Sequence, residues 1–301
     1  MNNDQLGLRR LIDYDFPSFF SPSITDEQYH ADKDHISSSS IRKVIHSPKA
    51  WYYDFVLGKK DAPTAAMKLG TLIHSAVLSG RNFMENHTIM PDFTAPTRAG
   101  NVSAKSKGAK EAKEAWLLEQ PKDKLIVTPD EADIILGIIE SLHSHTDAMA
   151  LLSDGKPEVA GYCSDPATGI KLKIKPDFLS NDFNVLVDLK TTTNVDARLF
   201  GRTAFDLRYD VQMYYYAKCV ELITGTMPKM IAIIAAEKSP PYECAVYYFE
   251  TDDLFYAKID VDNALVTLKD CIESGSFMQK QVSMDRIITP QWYINERANN
   301  L

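Results

Sequence analysis

The sequence predicts an α/β fold built on one mixed central sheet flanked by helices. Three observations carry this reading. From residue 158 the apolar spacing changes from helical to a period of two. The periodic segments then run in the order helix, three strands, helix, two strands. A three-strand meander joined through a crossover helix to further strands closes as one mixed sheet. The 301 residues are 45% hydrophobic and 25% charged, which excludes wholesale disorder. At ~150 residues per domain the length fits two domains or one large α/β unit.

Each element has its own signal. Residues 1–36 mix aromatic, Pro, Ser and acidic residues without a period and read as an irregular arm. The tract Ser37 to Ser40 caps a helix whose Ile41, Val44 and Ile45 share a face. Ser47-Pro48 starts a second helix carrying Trp51, Tyr52, Phe55 and Val56, ended by Gly58. Over residues 64–79, Leu69, Leu72, Ile73, Ala76 and Val77 form an apolar stripe with His74 at its edge. Gly70 lies one turn earlier and lets a backbone or ligand come close. Pro91, Pro96 and Gly100 break structure before a basic stretch that includes Lys113 and runs into a helix with Trp116 and Leu117. Residues 130–152 read as one amphipathic helix through Ile134, Ile135, Ile138, Leu142, Met149 and Leu152.

The strands follow. Glu158 to Cys163 is a short strand, and Asp165 to Gly169 a turn. Ile170 to Lys175 alternates apolar residues with lysine, as a half-buried strand does. Val185 to Lys190 is a continuous apolar run ending in charge, a central strand with polar residues at its tip. Residues 203–224 form a helix with Leu207, Val211, Tyr214, Tyr215 and Leu222 inward, stopped by Gly225. Met230 to Ala236 is a buried strand and Glu243 to Phe249 its partner. A last helix over 253–273 carries Leu254, Val261, Leu265, Leu268 and Ile272, and the tail around Trp292 and Tyr293 is polar.

Several function classes are disfavoured. No apolar run reaches the ~18 residues of a membrane span, and the N-terminus lacks a signal-peptide core, so a cytoplasmic protein without a membrane partner is expected. Cys163, Cys219, Cys244 and Cys271 stand singly, which indicates neither a zinc site nor a disulfide framework. No Walker motif is present. The net charge of -8 does not advertise nucleic-acid binding, but a basic groove can be local, and carboxylates that hold metal push the total negative.

The informative constellation is Asp177, Asp188 and Lys190. Residues i and i+2 of a strand share a face, so Asp188 and Lys190 project together. Asp177, at the end of the preceding strand, can face them across a hairpin. Two carboxylates beside a lysine suit phosphodiester hydrolysis. Carboxylates hold a hard divalent cation that stabilises charge on phosphate and acidifies a water. The lysine positions that water or stabilises the oxyanion. Lys171, Lys173 and Lys175 share one strand face, either the wet side of the hairpin or part of a DNA path. Lysines and arginine in the 98–113 stretch suit backbone contact with DNA or a solvated helix face.

Pro176-Asp177 … Asp188-Leu189-Lys190 matches the PD-(D/E)XK nuclease motif. The chain resembles the RecB-like branch, and most closely the exodeoxyribonuclease VIII (RecE) family of phage-type recombination exonucleases. The resemblance rests also on Ser37-Ser38-Ser39-Ser40-Ile41-Arg42 with Pro48 and Trp51-Tyr52-Tyr53. Gly70 to His74 supplies G-x-x-x-H, Tyr209 to Tyr216 supplies Q-x-x-x-Y, and Glu237-Lys238 with Pro240-Pro241-Tyr242 completes it. It spans residues 37–250, about most of the chain.

The resemblance implies a restriction-endonuclease-like core, αβββαββ, with N-terminal helical additions. It implies His74, Asp177, Asp188 and the Leu189 carbonyl as metal ligands, and Lys190 as the catalytic lysine. Gln212 and Tyr216, four apart on one helix face, would flank the site, and Glu158 would sit near a second metal. Arg98, Lys105, Lys107, Lys110 and Tyr209 are the DNA-contact candidates. The implied cofactor is magnesium, with manganese as a substitute; other RecB-like nucleases carry a four-cysteine iron–sulfur cluster, but the cysteines here fall at unrelated places, so no cluster is expected. The implied activity is a 5′→3′ exodeoxyribonuclease on linear double-stranded DNA that leaves 3′ overhangs for recombination by strand annealing. A RecT-like annealing protein and a ring-shaped homo-oligomer, tetrameric in RecE-like enzymes, come with it. The domain reading is an arm over 1–36, a nuclease domain over 37–275 with core motifs in 64–250 and a basic insertion at 91–120, and a tail over 276–301. The rivals are a structure-specific or restriction-type endonuclease on the same fold, and a non-cleaving DNA-binding or assembly subunit.

Overall fold

The computed structural model describes residues 7–59, 62, 64–79, 83–96, 102–104, 106–122, 124–278 and 286–298. The two main sheets use β1 (Phe19–Ser21), β2 (Gly155–Pro157), β3 (Ala160–Ser164), β4 (Lys171–Ile174), β5 (Phe178–Ser180), β6 (Val185–Thr192), β7 (Met230–Glu237) and β8 (Cys244–Tyr248). The larger sheet has the order β8-β7-β6-β5-β2 and the smaller β1-β3-β4. Within the larger sheet β6 and β7 pair in parallel, from Val185 against Met230 to Thr192 against Glu237, and its other described pairings are antiparallel, so it is mixed as expected.

The expected single sheet is divided in two. The hairpin that contains β2–β3 and β4–β5 bends where Glu158 adopts a φ of 53°, opposite Asp177 and beside Pro176, which has no N–H for a ladder. Across the bend the Glu158 N–H still donates to the Asp177 carbonyl at 3.1 Å. Beyond it, β3 and β4 take β1 as a third strand. Before it, β2 and β5 join the main sheet, and β5 carries the chain from Asp177 into pairing with β6.

The helices bearing on the site are α1 (Asp26–Ala31), α2 (Ser38–His46), α3 (Ala65–Ser79), α4 (Lys107–Glu119), α5 (Pro129–Ser144), α6 (Thr146–Leu151), α7 (Ala197–Asp206), α8 (Tyr209–Thr224) and α9 (Phe255–Ser274). One face of the larger sheet packs on α2, α8 and α9 through Leu186, Ile231, Ile233 and Ala235. The other packs on α3 and α5 through Val187, Leu189, Ile234 and Ala236, against Ile73, Ile135 and Ile138. Alternation along β6 thus buries Leu189 on the α3 side and sends Asp188 to the α8 side.

Two helices expected to be continuous are broken. Residues 130–152 divide at His145, whose extended backbone ends α5 and whose ring caps α6 by accepting from the Ala148 N–H at 3.3 Å. Residues 203–224 divide at Arg208, in the left-handed region at φ 57°. Leu207, expected inward, is 52% exposed at that break. The guanidinium stabilises this turn by bonding Asp210 at 3.2 Å and Asp260 of α9 at 2.5 Å.

The segment before Ser37 lacks a sequence period yet holds β1 and α1. A capping box fixes α1: the Gln28 N–H donates to Thr25 Oγ1 at 3.3 Å, and the Thr25 N–H to Gln28 Oε1 at 3.0 Å. This segment covers the lysine face of β4. The Lys173 ammonium is buried and donates to the carbonyls of Tyr29 at 2.5 Å and Asp32 at 2.8 Å. Lys175 pairs with Asp26 and with Glu158. These two lysines are therefore anchors for the arm, not the wet side of a hairpin. The tail also carries a helix, Gln291–Ala298. No described helix is long and apolar enough to cross a membrane.

Candidate active site

Four side chains meet where β6 leaves the sheet interior. Asp188 and Lys190 stand two apart on the face toward α8, and their carboxylate Oδ2 and ammonium are in ion-pair contact. Asp177 precedes β5 and reaches across to β6, where its Oδ2 accepts the Leu189 N–H at 2.6 Å. His74 comes from α3, its Nδ1 3.2 Å from the same Asp177 oxygen. The close approach expected of Gly70 is not what brings His74 in: a Cβ there would meet Thr191 Oγ1 at 3.8 Å, an ordinary contact.

The α8 side closes the cluster. Gln212 donates its amide to Asp188 Oδ1 at 2.9 Å and lies 3.3 Å from the Tyr216 hydroxyl. The Lys190 ammonium sits 4.9 Å from the centre of the Tyr209 ring, a cation–π contact. The Tyr216 pKa is pushed up to about 12 by burial and by the nearby Asp188 and Asp177 charges, which Ser38 of α2 partly opposes. Ser38, buried at the start of this helix, belongs to the Ser37–Arg42 tract, whose serines read as helix caps.

Burial and pairing oppose each other at every member. Burial alone raises the Asp177 pKa, but the His74 and Lys190 charges and the Leu189 N–H hold it below the ordinary carboxylate range. Burial and the Asp177 charge raise that of Asp188. Burial disfavours the charged forms of Lys190 and His74, but the two carboxylates override it and raise both pKa values. The cluster thus sets two buried carboxyl groups against the Lys190 ammonium and the His74 ring.

The metal question turns on the same atoms. Among the described residues no three His, Cys, Asp or Glu side chains are gathered as a ready metal cluster. The donor chemistry nonetheless fits a hard divalent cation. Asp188 Oδ2 is buried and accepts no hydrogen bond, and its neighbour is the Lys190 ammonium. His74 meets Asp177 through Nδ1, so the ring's other nitrogen is outside that contact.

The remaining candidates are placed differently. Glu158 stands at the hairpin bend and pairs with Lys175 at 3.7 Å. Burial raises its pKa, and the Asp177 charge adds to this. Lys107 and Lys110 lie on the exposed side of α4, Lys107 paired with Glu111 at 3.6 Å. Arg98 and Lys105 lie outside the described residues. Tyr209, a DNA-contact candidate, is packed against Lys190.

The fold is similar to the crystal structure of a candidate exonuclease from Eubacterium rectale, with a TM-score of 0.54 at 16% sequence identity over 87% of this chain and 97% of that one. That identity supports a shared fold. No curated protein matches the chain. Residues 37–280 match the profile of a PDDEXK-like domain of unknown function, DUF3799. The Asp177, Asp188, Lys190 set, the mixed sheet that carries it and this match over most of the length agree, and the chain belongs to that PDDEXK-like family.

Proposed function

We propose that the protein is a metal-dependent exodeoxyribonuclease acting on linear double-stranded DNA. The observation that carries the reading is the convergence of His74, Asp177, Asp188 and Lys190 at one end of β6. Asp177, Asp188, His74 and the Leu189 carbonyl would hold a divalent cation, magnesium or manganese. When bound, it supplies Lewis-acid stabilisation of the phosphate and an acidified water.

The chain's own residues do the rest. Lys190 holds its proton against burial and presents a positive charge where a phosphate oxygen gains negative charge. Tyr209 and the Asp188 carboxylate fix the ammonium from two sides. Gln212 fixes the Asp188 rotamer by occupying Oδ1, which leaves Oδ2 toward the site. The Leu189 N–H and His74 orient Asp177 in the same way. Cleavage in the 5′→3′ direction, 3′ overhangs for annealing, a RecT-like partner and a ring-shaped assembly belong to this proposal through the RecE-like motifs.

Linear duplex labelled at either the 5′ or the 3′ end tests the reading, in magnesium and in EDTA, beside a covalently closed circle. The expected result is magnesium-dependent release of the 5′ label with the circle intact. A cut circle would instead favour an endonuclease, and no cleavage of any substrate would leave a binding subunit.

A further inference from the structure

Ser38 and Arg42 stand one turn apart on α2 and share a face of that helix. Tyr209, Gln212 and Tyr216 are spaced by three and four on α8 and share a face there. The two faces meet. Ser38 is near enough to Tyr216 to lower that phenol's pKa. Arg42 reaches the start of α8, where its Nη1 donates to the Leu207 carbonyl at 3.1 Å. Gln212, midway along the row, holds Asp188. The row is buried at Ser38 and Tyr216 and opens toward solvent at Arg42 and Tyr209, both half-buried.

The open end carries a charge that no carboxylate neutralises. Arg10, Arg202 and Arg208 each close on an aspartate. Among the described residues the polar contact of Arg42 is the Leu207 carbonyl alone, so further N–H groups of its fork remain for a ligand. The Tyr209 hydroxyl has no hydrogen-bond partner among the described residues either. Its ring carries the Lys190 ammonium at 4.9 Å, and the phenol feels the charges of Lys190, Asp188 and Arg42. Two cations on different elements thus bear on one phenol.

An uncommitted guanidinium beside a hydroxyl donor suits a phosphate, whose oxygens match the planar fork. Both cations act on the same tyrosine, so a phosphate held by Arg42 is a neighbour of one that faces Lys190.

We propose that Arg42 and the Tyr209 hydroxyl form a phosphate subsite that grips the DNA backbone next to the linkage facing Lys190. The proposal rests on the nuclease reading for its ligand class.

The test measures binding of the full chain in EDTA to a fluorescein-labelled linear duplex, by anisotropy over a range of salt. Arg42→Gln is expected to weaken binding about tenfold and to lower the slope of log Kd against log salt by about one. Arg42→Lys, which keeps the charge, is expected to restore the slope. Lys229→Gln removes an exposed charge just before β7, at the end of the sheet away from Lys190, and is expected to change neither. Unchanged melting temperatures show that the variants fold. A single uncharged methylphosphonate linkage, stepped inward from the duplex end, is expected to weaken wild type about tenfold at one position and to cost Arg42→Gln nothing further there. A merely structural arginine would show no such position. Duplexes with 5′-phosphate and 5′-hydroxyl ends separate the sources: a loss confined to the phosphorylated duplex assigns the subsite to a terminal phosphate, and a loss on both to an internal one. Unchanged affinity and slope in Arg42→Gln, or a wild-type chain that does not bind duplex, overturns the proposal. Cleavage in magnesium is scored separately. A chain that binds through Arg42 without cutting keeps the subsite and loses the nuclease reading; a chain that cuts while Arg42→Gln binds like wild type does the reverse.

Discussion

Gln212 donates to Asp188 Oδ1 at 2.9 Å from one face of α8, while the second oxygen of that carboxylate meets Lys190 and accepts no hydrogen bond. One carboxylate is thus divided between a structural partner and the reactive side of the cluster. Gln212→Ala is expected to strip a buried acceptor of its donor and cost ~1–3 kcal/mol. Thermal unfolding should show a melting temperature lower by several degrees; an unchanged one would mean that the Gln212 contact contributes nothing.

Divalent cation should stabilise the fold through the same carboxylate. At a magnesium concentration about a hundredfold above its dissociation constant, the gain is ~2.7 kcal/mol. Asp188→Asn is expected to abolish the magnesium-dependent rise in melting temperature. A variant that keeps the full rise would place the cation elsewhere.

Gly137 in α5 faces the ring of Tyr242, and a Cβ built there would lie 2.2 Å from Tyr242 Cδ2 and 2.8 Å from Cγ. Alanine favours a helix over glycine by up to ~1 kcal/mol, yet here the clash should win. Gly137→Ala is expected to lower stability in urea unfolding, and the double variant Gly137→Ala with Tyr242→Ala to recover part of the loss. A stabilised single variant would contradict the packing.

Asp262 illustrates a pH-dependent contribution. Burial raises its pKa, but hydrogen bonds from Lys218 and Lys258 override this and hold it below the ordinary value. A depressed carboxylate pKa stabilises the fold above the unfolded value of ~3.9, and that stabilisation is lost as pH falls through the folded value. Asp262→Asn is expected to cost up to ~1 kcal/mol at neutral pH, since the pair is partly exposed, and progressively less below ~3.9. A gap that widens in acid would reverse the sign.

The centre of this protein is written in local patterns. The period of two along Val185–Lys190 places Asp188 and Lys190 on one face, and the stripe over 64–79 puts His74 at its edge; the structure realises both. The less legible parts depend on long-range partners. Arg208 enters the left-handed region because Asp260, 52 residues away, receives its guanidinium. Lys173 alternates like a solvent-facing lysine, yet it is buried because carbonyls of a segment over a hundred residues earlier accept from it. The bend at Glu158 likewise arises from the meeting of two strands rather than from either alone.

The most direct measurement is single-turnover cleavage of end-labelled linear duplex in magnesium by the wild-type chain and by Lys190→Ala, with DNA binding read in parallel. The account predicts that the variant binds within a few-fold of wild type and cleaves at least about a hundredfold more slowly. Equal cleavage by the two proteins would contradict it, because the lysine at the centre of the cluster would then have no part in the chemistry.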